Sequence, residues 1–259
     1  DTKVRFSIQS ISKIITLAVA LEICGFDQVF KKVGMEPTGD PFNSLMKLEN
    51  TDSSPYNPMI NAGAIVVASC LASEISFDTM LDTIRALCMD PDINLDKKVY
   101  HSEMSHISRN RAIAYLLESK GYIEKNKDVE NSLHFYVKMC SLSVTAESLA
   151  GLGLILANDG IHPDTGKRLL SSQAVKIVKT LMFTCGMYDG SGEFAVRVGI
   201  PSKSGVGGGI LSVVDGEMGI GIFGPALDKK GNSVAGECVL EYMSHELHLH
   251  MFDPQRHTL

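Results

Sequence analysis

The segment Ser10-Ile11-Ser12-Lys13 places a hydroxyl and an amine at the head of an apolar stretch that runs from Ile14 to Leu21. If the segment is helical from Ser10, the two groups lie one turn apart on the same face. A lysine near a helix N-terminus and shielded from water has a lowered pKa and accepts a proton from serine. The backbone N–H of Ser10 then points outward as an oxyanion donor. The pattern predicts a Ser-Lys acyl-transfer dyad, with a chance match as the alternative.

A second Ser-x-x-Lys match, Ser44-Leu45-Met46-Lys47, lies in a connection without helical periodicity, and we interpret it as the chance match. The first match gains support from Lys203-Ser204-Gly205, because Lys-Ser/Thr-Gly on an edge strand accompanies Ser-x-x-Lys in acyl enzymes. Glycines at this point let a substrate approach the backbone, and the N–H of Val206 is a candidate second oxyanion donor. The alternative is a glycine-rich strand packed against a helix.

The elements that must position these groups follow from the apolar spacing. The predicted helices are 10–24, 62–73, 77–89, 104–120, 128–141, 145–158 and 171–183. After Met187 three strands are predicted, at 193–200, 203–214 and 217–224, with Asp215-Gly216 as the hairpin turn between the last two. A helix at 234–250 follows. Helices first, then a meander, then a helix predict an α+β fold rather than alternating βαβ units.

Composition bounds the class of protein. The chain has 259 residues, is 44% hydrophobic and carries a net charge of −6, which suits one large domain or two lobes that share a site. This acidic balance argues against a nucleic-acid partner, and no apolar run is long enough to predict a membrane span. The six cysteines are scattered without a Cys-x-x-Cys pair, which predicts reduced core residues in a cytosolic protein.

Two further motifs are interpreted as structural. Gly219-Ile220-Gly221-Ile222-Phe223-Gly224 matches the dinucleotide pattern, but it lies in a predicted strand and Pro225 follows instead of a helix. His245, His248 and His250 do not have the spacing of a zinc motif, so a solvated helix face is the favoured interpretation and no metal site is predicted.

Several longer segments carry a family resemblance. They are QSISK (9–13), NPMINAGAI (57–65), SEMSHISRN (102–110), FYVKMCS (135–141), CGMYDGSG (185–192) and KSGVGGGIL (203–211). With them, the chain resembles the serine-dependent glutaminases, which have a β-lactamase/penicillin-binding-like fold. This resemblance implies an antiparallel sheet flanked by helices in residues 1–25 and 186–259, a mainly helical lobe at about 26–185, and an active site between them. It also implies a single catalytic domain over 1–259 that lacks an N-terminal segment present in the family.

The resemblance further implies roles for individual residues in the hydrolysis of L-glutamine to L-glutamate and ammonia. Ser10 is the expected nucleophile, Lys13 its base, and Tyr188 the relay that passes a proton to departing ammonia. The backbone N–H groups of Ser10 and Val206 form the expected oxyanion hole. The residues expected to contact the substrate are Ser10, Asn61, Glu103, Asn110, Tyr136, Tyr188 and Val206. No metal or organic cofactor is expected. From the residues alone, Asn61 is most simply a helix N-cap.

Other functions stay open at this point. A penicillin-recognising serine hydrolase or peptidase shares the Ser-x-x-Lys and Lys-Ser-Gly logic, and an inactive ligand-binding relative is a further alternative. The resemblance implies a homodimer or homotetramer, and we expect a cytoplasmic bacterial enzyme. We also expect a pocket that rejects asparagine, because the shorter amide does not reach Ser10 while the α-groups stay bound.

Overall fold

The structure is a computed structural model that describes residues 1–38, 54–125 and 128–254. The second Ser-x-x-Lys match, Ser44 and Lys47, lies outside the described residues. The α-helices in chain order are α1 (Ser12–Ile23), α2 (Phe26–Phe30), α3 (Asn61–Ala72), α4 (Phe77–Leu87), α5 (Lys97–Ser105), α6 (Ser108–Ser119), α7 (Val129–Cys140), α8 (Ala146–Ala157), α9 (Ser172–Cys185), α10 (Ser191–Arg197) and α11 (Val234–Glu246). Two 3₁₀ turns, Gln9–Ile11 and Tyr188–Gly190, directly precede α1 and α10.

The described strands form two small antiparallel sheets. The first contains β1 (Phe6–Ser7), β2 (Asn94–Leu95) and β3 (Leu142–Val144) in the order β1-β3-β2. The second contains β4 (Ser202–Ser204), β5 (Gly209–Val214) and β6 (Met218–Phe223) in the order β4-β5-β6. Lys203 therefore lies on an edge strand, opposite Leu211 of β5. The predicted hairpin turn at Asp215-Gly216 joins β5 to β6, and Gly216 has the positive φ of 75° that such a turn requires.

The second sheet is a layer between two groups of helices. Alternate residues of β5 face opposite sides: Leu211 and Val213 join the large core that α1, α3, α7 and α8 build. Ile210 and Val214 join a smaller core with residues of α10 and α11. This period of two follows from the pleat of a strand that is buried on both faces. The predicted α+β fold is confirmed.

The two helices that carry the predicted chemistry are core helices. In α1 every residue from Ser12 to Leu21 is buried, and in α3 every residue from Asn61 to Leu71 is buried. Among the described residues, no single helix is long and apolar enough to cross a membrane. Taken together α3 and α4 pass that test of length and composition, but they are bent by 112° relative to one another.

Most predicted helices are present within a residue or two of the expected ends. Ser76 caps α4 by accepting a hydrogen bond from the N–H of Thr79 at 3.1 Å. Thr145 and Ser148 form a reciprocal capping box at the start of α8. Gly121, with φ of 80°, ends α6 in a Schellman arrangement in which the N–H of Tyr122 reaches the carbonyl of Leu117 at 2.9 Å. The predicted terminal helix 234–250 ends earlier, at Glu246.

The prediction of one helix over 104–120 is wrong, because the segment contains the end of α5 and the separate helix α6. Side chains compete with the helical backbone at the break. The Ser105 hydroxyl donates to the carbonyl of Ser102 at 2.7 Å, and the His106 ring lies 2.9 Å from the same oxygen. Such local bonds give a helix end an alternative to continuing. The break puts Glu103 and Asn110 on different helices.

The prediction of a strand over 193–200 is also wrong, since residues 191–197 form α10. Phe194, Val196 and Val198 alternate with other residues and so imitate a strand. The helix instead buries Phe194 and Val198, which are one turn apart, and leaves Val196 79% exposed. An ion pair between Glu193 and Arg197 at 3.3 Å spans the same turn. The third strand of the second sheet is instead β4, which the prediction had joined with β5 into the single strand 203–214.

The glycines of the dinucleotide-like motif have a packing role. Gly219 and Gly221 of β6 lie against α8, and a methyl group at Gly221 would collide with the carbonyl oxygen of Ala146. From the helix side, a methyl group at Gly153 would lie 2.7 Å from the Cα of Gly219. Strand and helix therefore approach backbone to backbone. The motif lies in a strand, as predicted, and its glycines serve close packing.

Replacing Gly221 by alanine tests this contact. We expect Gly221→Ala to lower the free energy of unfolding by about 1–3 kcal/mol, because the packed backbone of α8 leaves no room for a methyl group. The control is Gly192→Ala on α10, where a Cβ meets nothing within 4 Å and the change should be neutral or slightly stabilising. Urea unfolding followed by circular dichroism measures both, and equal stabilities would contradict the packing assignment.

Candidate active site

The first 3₁₀ turn and the first turn of α1 bring the predicted dyad together. Lys13 Nζ lies 3.2 Å from Ser10 Oγ, and both side chains are buried. The same nitrogen also lies 2.7 Å from Oδ1 of Asn61 and 3.2 Å from the carbonyl oxygen of Met59. A neutral amine has two N–H groups and one lone pair. If those N–H groups bond Asn61 and Met59, the lone pair is left for the proton of the serine hydroxyl.

The protonation state of Lys13 follows from its burial. Loss of solvent lowers the pKa of its amine from 10.5 to about 8, while the neighbouring Cys140 acts in the opposite direction. An amine with a pKa of about 8 is mostly protonated at pH 7 and becomes mostly neutral above about pH 8. The residue types and spacing therefore give a base that holds or releases a proton near the working pH of most enzymes.

The loop after β4 lies directly on the nucleophile turn. A methyl group at Gly205 would lie 3.4 Å from the backbone nitrogen of Ser10 and 2.8 Å from the carbonyl oxygen of Ile8. Gln9 adopts a φ of 48°, which is rare for a residue with a side chain, and its carbonyl accepts the Ser12 hydroxyl at 2.7 Å. In the described loops, the N–H of Val206 donates to no backbone carbonyl.

Tyr188 stands in the second 3₁₀ turn with a φ of 54°, and its side chain is buried. Burial raises the pKa of its phenol to about 12, against the opposing effect of the nearby hydroxyls of Ser10 and Ser204 and the N–H of Val206. The phenol is therefore protonated at neutral pH and adjoins the nucleophile. A strained backbone at such a residue persists only where its surroundings fix it.

Lys203 lies beneath Tyr188. Its Nζ is 4.4 Å from the centre of the Tyr188 ring and donates to the carbonyls of Gly186 at 3.0 Å and Ser204 at 2.6 Å. Complete burial, with the nearby Lys13 as a second cause, lowers the pKa of Lys203 well below its ordinary value. The Lys-Ser-Gly motif thus supplies a buried amine that ties β4 to the segment before Tyr188.

The residues expected to contact substrate form a chain of hydrogen bonds that begins at the dyad. Tyr136 of α7 donates to Oδ1 of Asn61 at 3.2 Å, and Nδ2 of Asn61 donates to Asn110 of α6 at 3.1 Å. The alternative role of Asn61 as an N-cap is wrong, because Asn61 is the first residue of α3 and Ile60 occupies the cap position. The carboxamide of Asn57 accepts from the backbone there instead.

Glu103 and Gln9 lie on the opposite flank of Ser10. Nε2 of Gln9 donates to Oε1 of Glu103 at 3.1 Å, which brings α5 to the nucleophile turn. The site also has a gradient of exposure. Its buried members are Ser10, Lys13, Asn61, Tyr136 and Tyr188. Glu103 is exposed, Asn110 is half-buried and Val206 is 41% exposed. We call these three residues the mouth of the site.

The structure brings all the predicted site residues to one place and adds two that the sequence analysis did not place in the site. In the sequence, Gln9 is singled out only by its position before Ser10, and Lys203 only by the Lys-Ser-Gly motif. The three histidines lie elsewhere: His245 is in the last turn of α11, and His248 and His250 follow its end. Among the described residues, no group of three or more His, Cys, Asp or Glu side chains has the arrangement of a metal site.

Known proteins are similar to this chain over nearly its whole length. A sequence model of the glutaminase family matches residues 1–252. A glutaminase of Fusobacterium nucleatum is 53% identical over 97% of this chain and 83% of its own length. A glutaminase of Clostridioides difficile is 54% identical over 96% of this chain and 81% of its own length.

Solved structures agree with these sequence matches. The crystal structure of a probable Bacillus subtilis glutaminase superposes with a TM-score of 0.92, at 40% identity over 97% of this chain and 84% of that one. A Bacillus subtilis glutaminase in covalent complex with 5-oxo-L-norleucine, formed by reaction with 6-diazo-5-oxo-L-norleucine, superposes with a TM-score of 0.86, at 38% identity over 97% of this chain and 83% of that one. On the family match and these identities, the chain belongs to the glutaminase family.

Proposed function

We propose that this protein hydrolyses the side-chain amide of L-glutamine to L-glutamate and ammonia through a γ-glutamyl ester on Ser10. The observation that carries the proposal is the buried amine of Lys13, 3.2 Å from the Ser10 hydroxyl, in a member of the glutaminase family. Lys13 takes the hydroxyl proton as Oγ attacks the amide carbon. The N–H groups of Ser10 and Val206 then bind the oxyanion of the tetrahedral intermediate.

The leaving group needs a proton, and Tyr188 is the group that supplies it. Its protonated phenol adjoins Ser10, so it donates to the amide nitrogen as the C–N bond breaks and is reprotonated from Lys13. Ammonia departs, and water attacks the ester with Lys13 again as the base. Ser10 regains its proton when the ester C–O bond breaks. Each cycle consumes one water and returns every protein group to its starting state, without a metal or organic cofactor.

The gradient of exposure supports an orientation for the substrate. Glutamine carries an ammonium and a carboxylate that must be paired if they leave water. Glu103 at the mouth binds the ammonium, and the neutral groups of Asn61, Asn110 and Tyr136 bind the carboxylate and the chain. The uncharged side-chain amide enters the buried end beside Ser10 and Lys13. The part of the site that is most shielded from water thus receives the neutral end of the substrate.

A relative supports a covalent route. The Bacillus subtilis glutaminase that forms a covalent complex on reaction with 6-diazo-5-oxo-L-norleucine has a nucleophile that an amino-acid diazoketone reaches. We assign the equivalent role in this chain to Ser10. The penicillin-recognising hydrolase and the inactive relative lack comparable support, since the family and the relatives are glutaminases. We further propose that the chain forms a single catalytic domain, that the enzyme is cytoplasmic and that it assembles as a homodimer or homotetramer.

Replacing Ser10 tests the proposal most directly. We expect Ser10→Ala to lower ammonia release from L-glutamine by at least about 10³-fold, because the ester cannot form. The matched control is Ser44→Ala at the other Ser-x-x-Lys match, which should retain activity. Coupled ammonia detection on the purified chain measures both. Equal rates in wild type and Ser10→Ala would rule out Ser10 as the nucleophile.

The pH dependence tests Lys13. Only the neutral amine accepts the serine proton, so kcat/KM for glutamine should rise with pH along an acid limb whose apparent pKa is about 8. Activity is then lost as the pH falls through that value. Lys13→Arg, whose side chain stays protonated, should be inactive across the range. Stopped-time assays from pH 6 to 9 provide the profile, and a flat wild-type profile would contradict the assignment.

Glu103 should affect binding more than chemistry. Glu103→Gln removes the charge that pairs with the substrate ammonium, and we expect KM to rise roughly 10–100-fold while kcat changes by less than about threefold. Glu246→Gln, an exposed carboxylate near the end of α11, is the control and should leave both constants unchanged. Steady-state kinetics with L-glutamine measure the split. A loss in kcat alone would place Glu103 in the reaction instead.

A further inference from the structure

The turn formed by residues 228–232, between β6 and α11, lies against the active site. Gly231 at its tip has a φ of 95°, and a methyl group there would lie 3.4 Å from Cγ1 of Val206 and 3.6 Å from Cε2 of Tyr188. The tip of this turn therefore approaches the proposed proton donor and the side chain of a proposed oxyanion residue to within the space of one methyl group. None of residues 228–232 stood out in the sequence.

The turn is stiff. The Asp228 carboxylate accepts the N–H groups of Lys230 at 2.9 Å and Asn232 at 2.8 Å, and the N–H of Asp228 donates to the carbonyl of Asn232 at 2.8 Å. An antiparallel bridge between Leu227 and Ser233 closes its base. These bonds fix the conformation in which the tip meets Tyr188.

The turn is also anchored to the segment that carries Tyr188. Nζ of Lys230 forms an ion pair with Glu193 of α10 at 3.1 Å, and a methyl group at Gly190 would lie 3.2 Å from Cδ of Lys230. Tyr188 holds a left-handed backbone conformation, which the packing around it must maintain. The hydrogen bond from Ser191 Oγ to the carbonyl of Tyr188 at 2.8 Å fixes its backbone on one side, and the tip of the 228–232 turn lies beside the ring.

We propose that the 228–232 turn positions the Tyr188 phenol for protonation of the departing ammonia, with Gly231 and Lys230 as positioning residues that act through Tyr188. Both stand apart from Glu103, Asn61 and Asn110, which bind the α-groups in the proposed function, so the turn acts on the reaction step and not on substrate affinity. This inference rests on the proposed function of the site.

The test compares two glycines that share a backbone conformation. Gly231→Ala introduces a methyl group beside Tyr188, whereas Gly216→Ala introduces one at a φ of 75° with nothing within 4 Å. Both variants should lose thermal stability to a similar extent, because both strain a left-handed residue. Only Gly231→Ala should lower kcat for L-glutamine, by about tenfold or more, with KM within about threefold of wild type. Unchanged kcat in Gly231→Ala would overturn the inference.

A second substrate separates proton delivery from general damage. The γ-thiomethyl ester of L-glutamate expels a thiolate that leaves without prior protonation, so the loss in Gly231→Ala should be at least about threefold smaller on this ester than on glutamine. Equal losses on the two substrates would overturn the role of the turn at Tyr188. Activity of Ser10→Ala would instead refute the proposed function itself, so the two failures are distinguishable.

A milder pair of variants covers the case in which Gly231→Ala does not fold. Lys230→Met removes the ion pair that anchors the turn, and Lys229→Met changes the exposed neighbouring lysine. Lys230→Met should show a kcat loss of about threefold on glutamine and a smaller loss on the thioester. Lys229→Met should match wild type on both. Indistinguishable kinetics for the two lysine variants would overturn the inference.

Discussion

The burial of the Lys13 amine is the constraint on which the rest of the structure depends. An amine without solvent must find hydrogen-bond partners, and it takes them from Ser10, from the carbonyl of Met59 and from Asn61. Those partners belong to the nucleophile turn and to the start of α3, so the two core helices must dock in one register. The bond from Lys13 to Asn61 continues through Asn110 and Tyr136. The same contacts that satisfy the lysine therefore also arrange the pocket.

The distribution of charge in the site follows from this burial. Desolvation is the largest cause that lowers the pKa of both buried lysines, Lys13 and Lys203. The exposed Glu103 supplies negative charge at the mouth, where water limits the cost of an unpaired carboxylate. The buried end is rich in hydrogen-bonding groups but carries little charge at the pH at which Lys13 is neutral. Such an interior suits a neutral amide and favours an oxyanion once the reaction begins.

Local patterns predicted most of the helices and the dyad, because periodicity, caps and a four-residue motif are contained in short segments. Failures came where contacts distant in sequence decide. The alternation of apolar residues around Phe194 predicts a strand, but the segment is a helix that packs against the smaller core. Strands β1 and β2 have two residues each, which is too short for a periodic signal, and both pair with β3. The family resemblance supplied Glu103, Asn110 and Tyr136, but the contact of Gly231 with Tyr188 arises from a fold-level approach of two turns.

The long separation along the chain between Ser10 and the loop that completes its site has a consequence for synthesis. Strand β1 pairs with β3, and the oxyanion loop at Val206 packs on the nucleophile turn, so the first helix waits for the last third of the chain. At a translation rate of about 5–20 residues per second, the nearly 200 residues between them take roughly ten to forty seconds to emerge. During that time the apolar α1 has no finished sheet to cover it. Until the loop at Val206 has emerged, the nascent chain therefore exposes the apolar surface of α1, which favours aggregation.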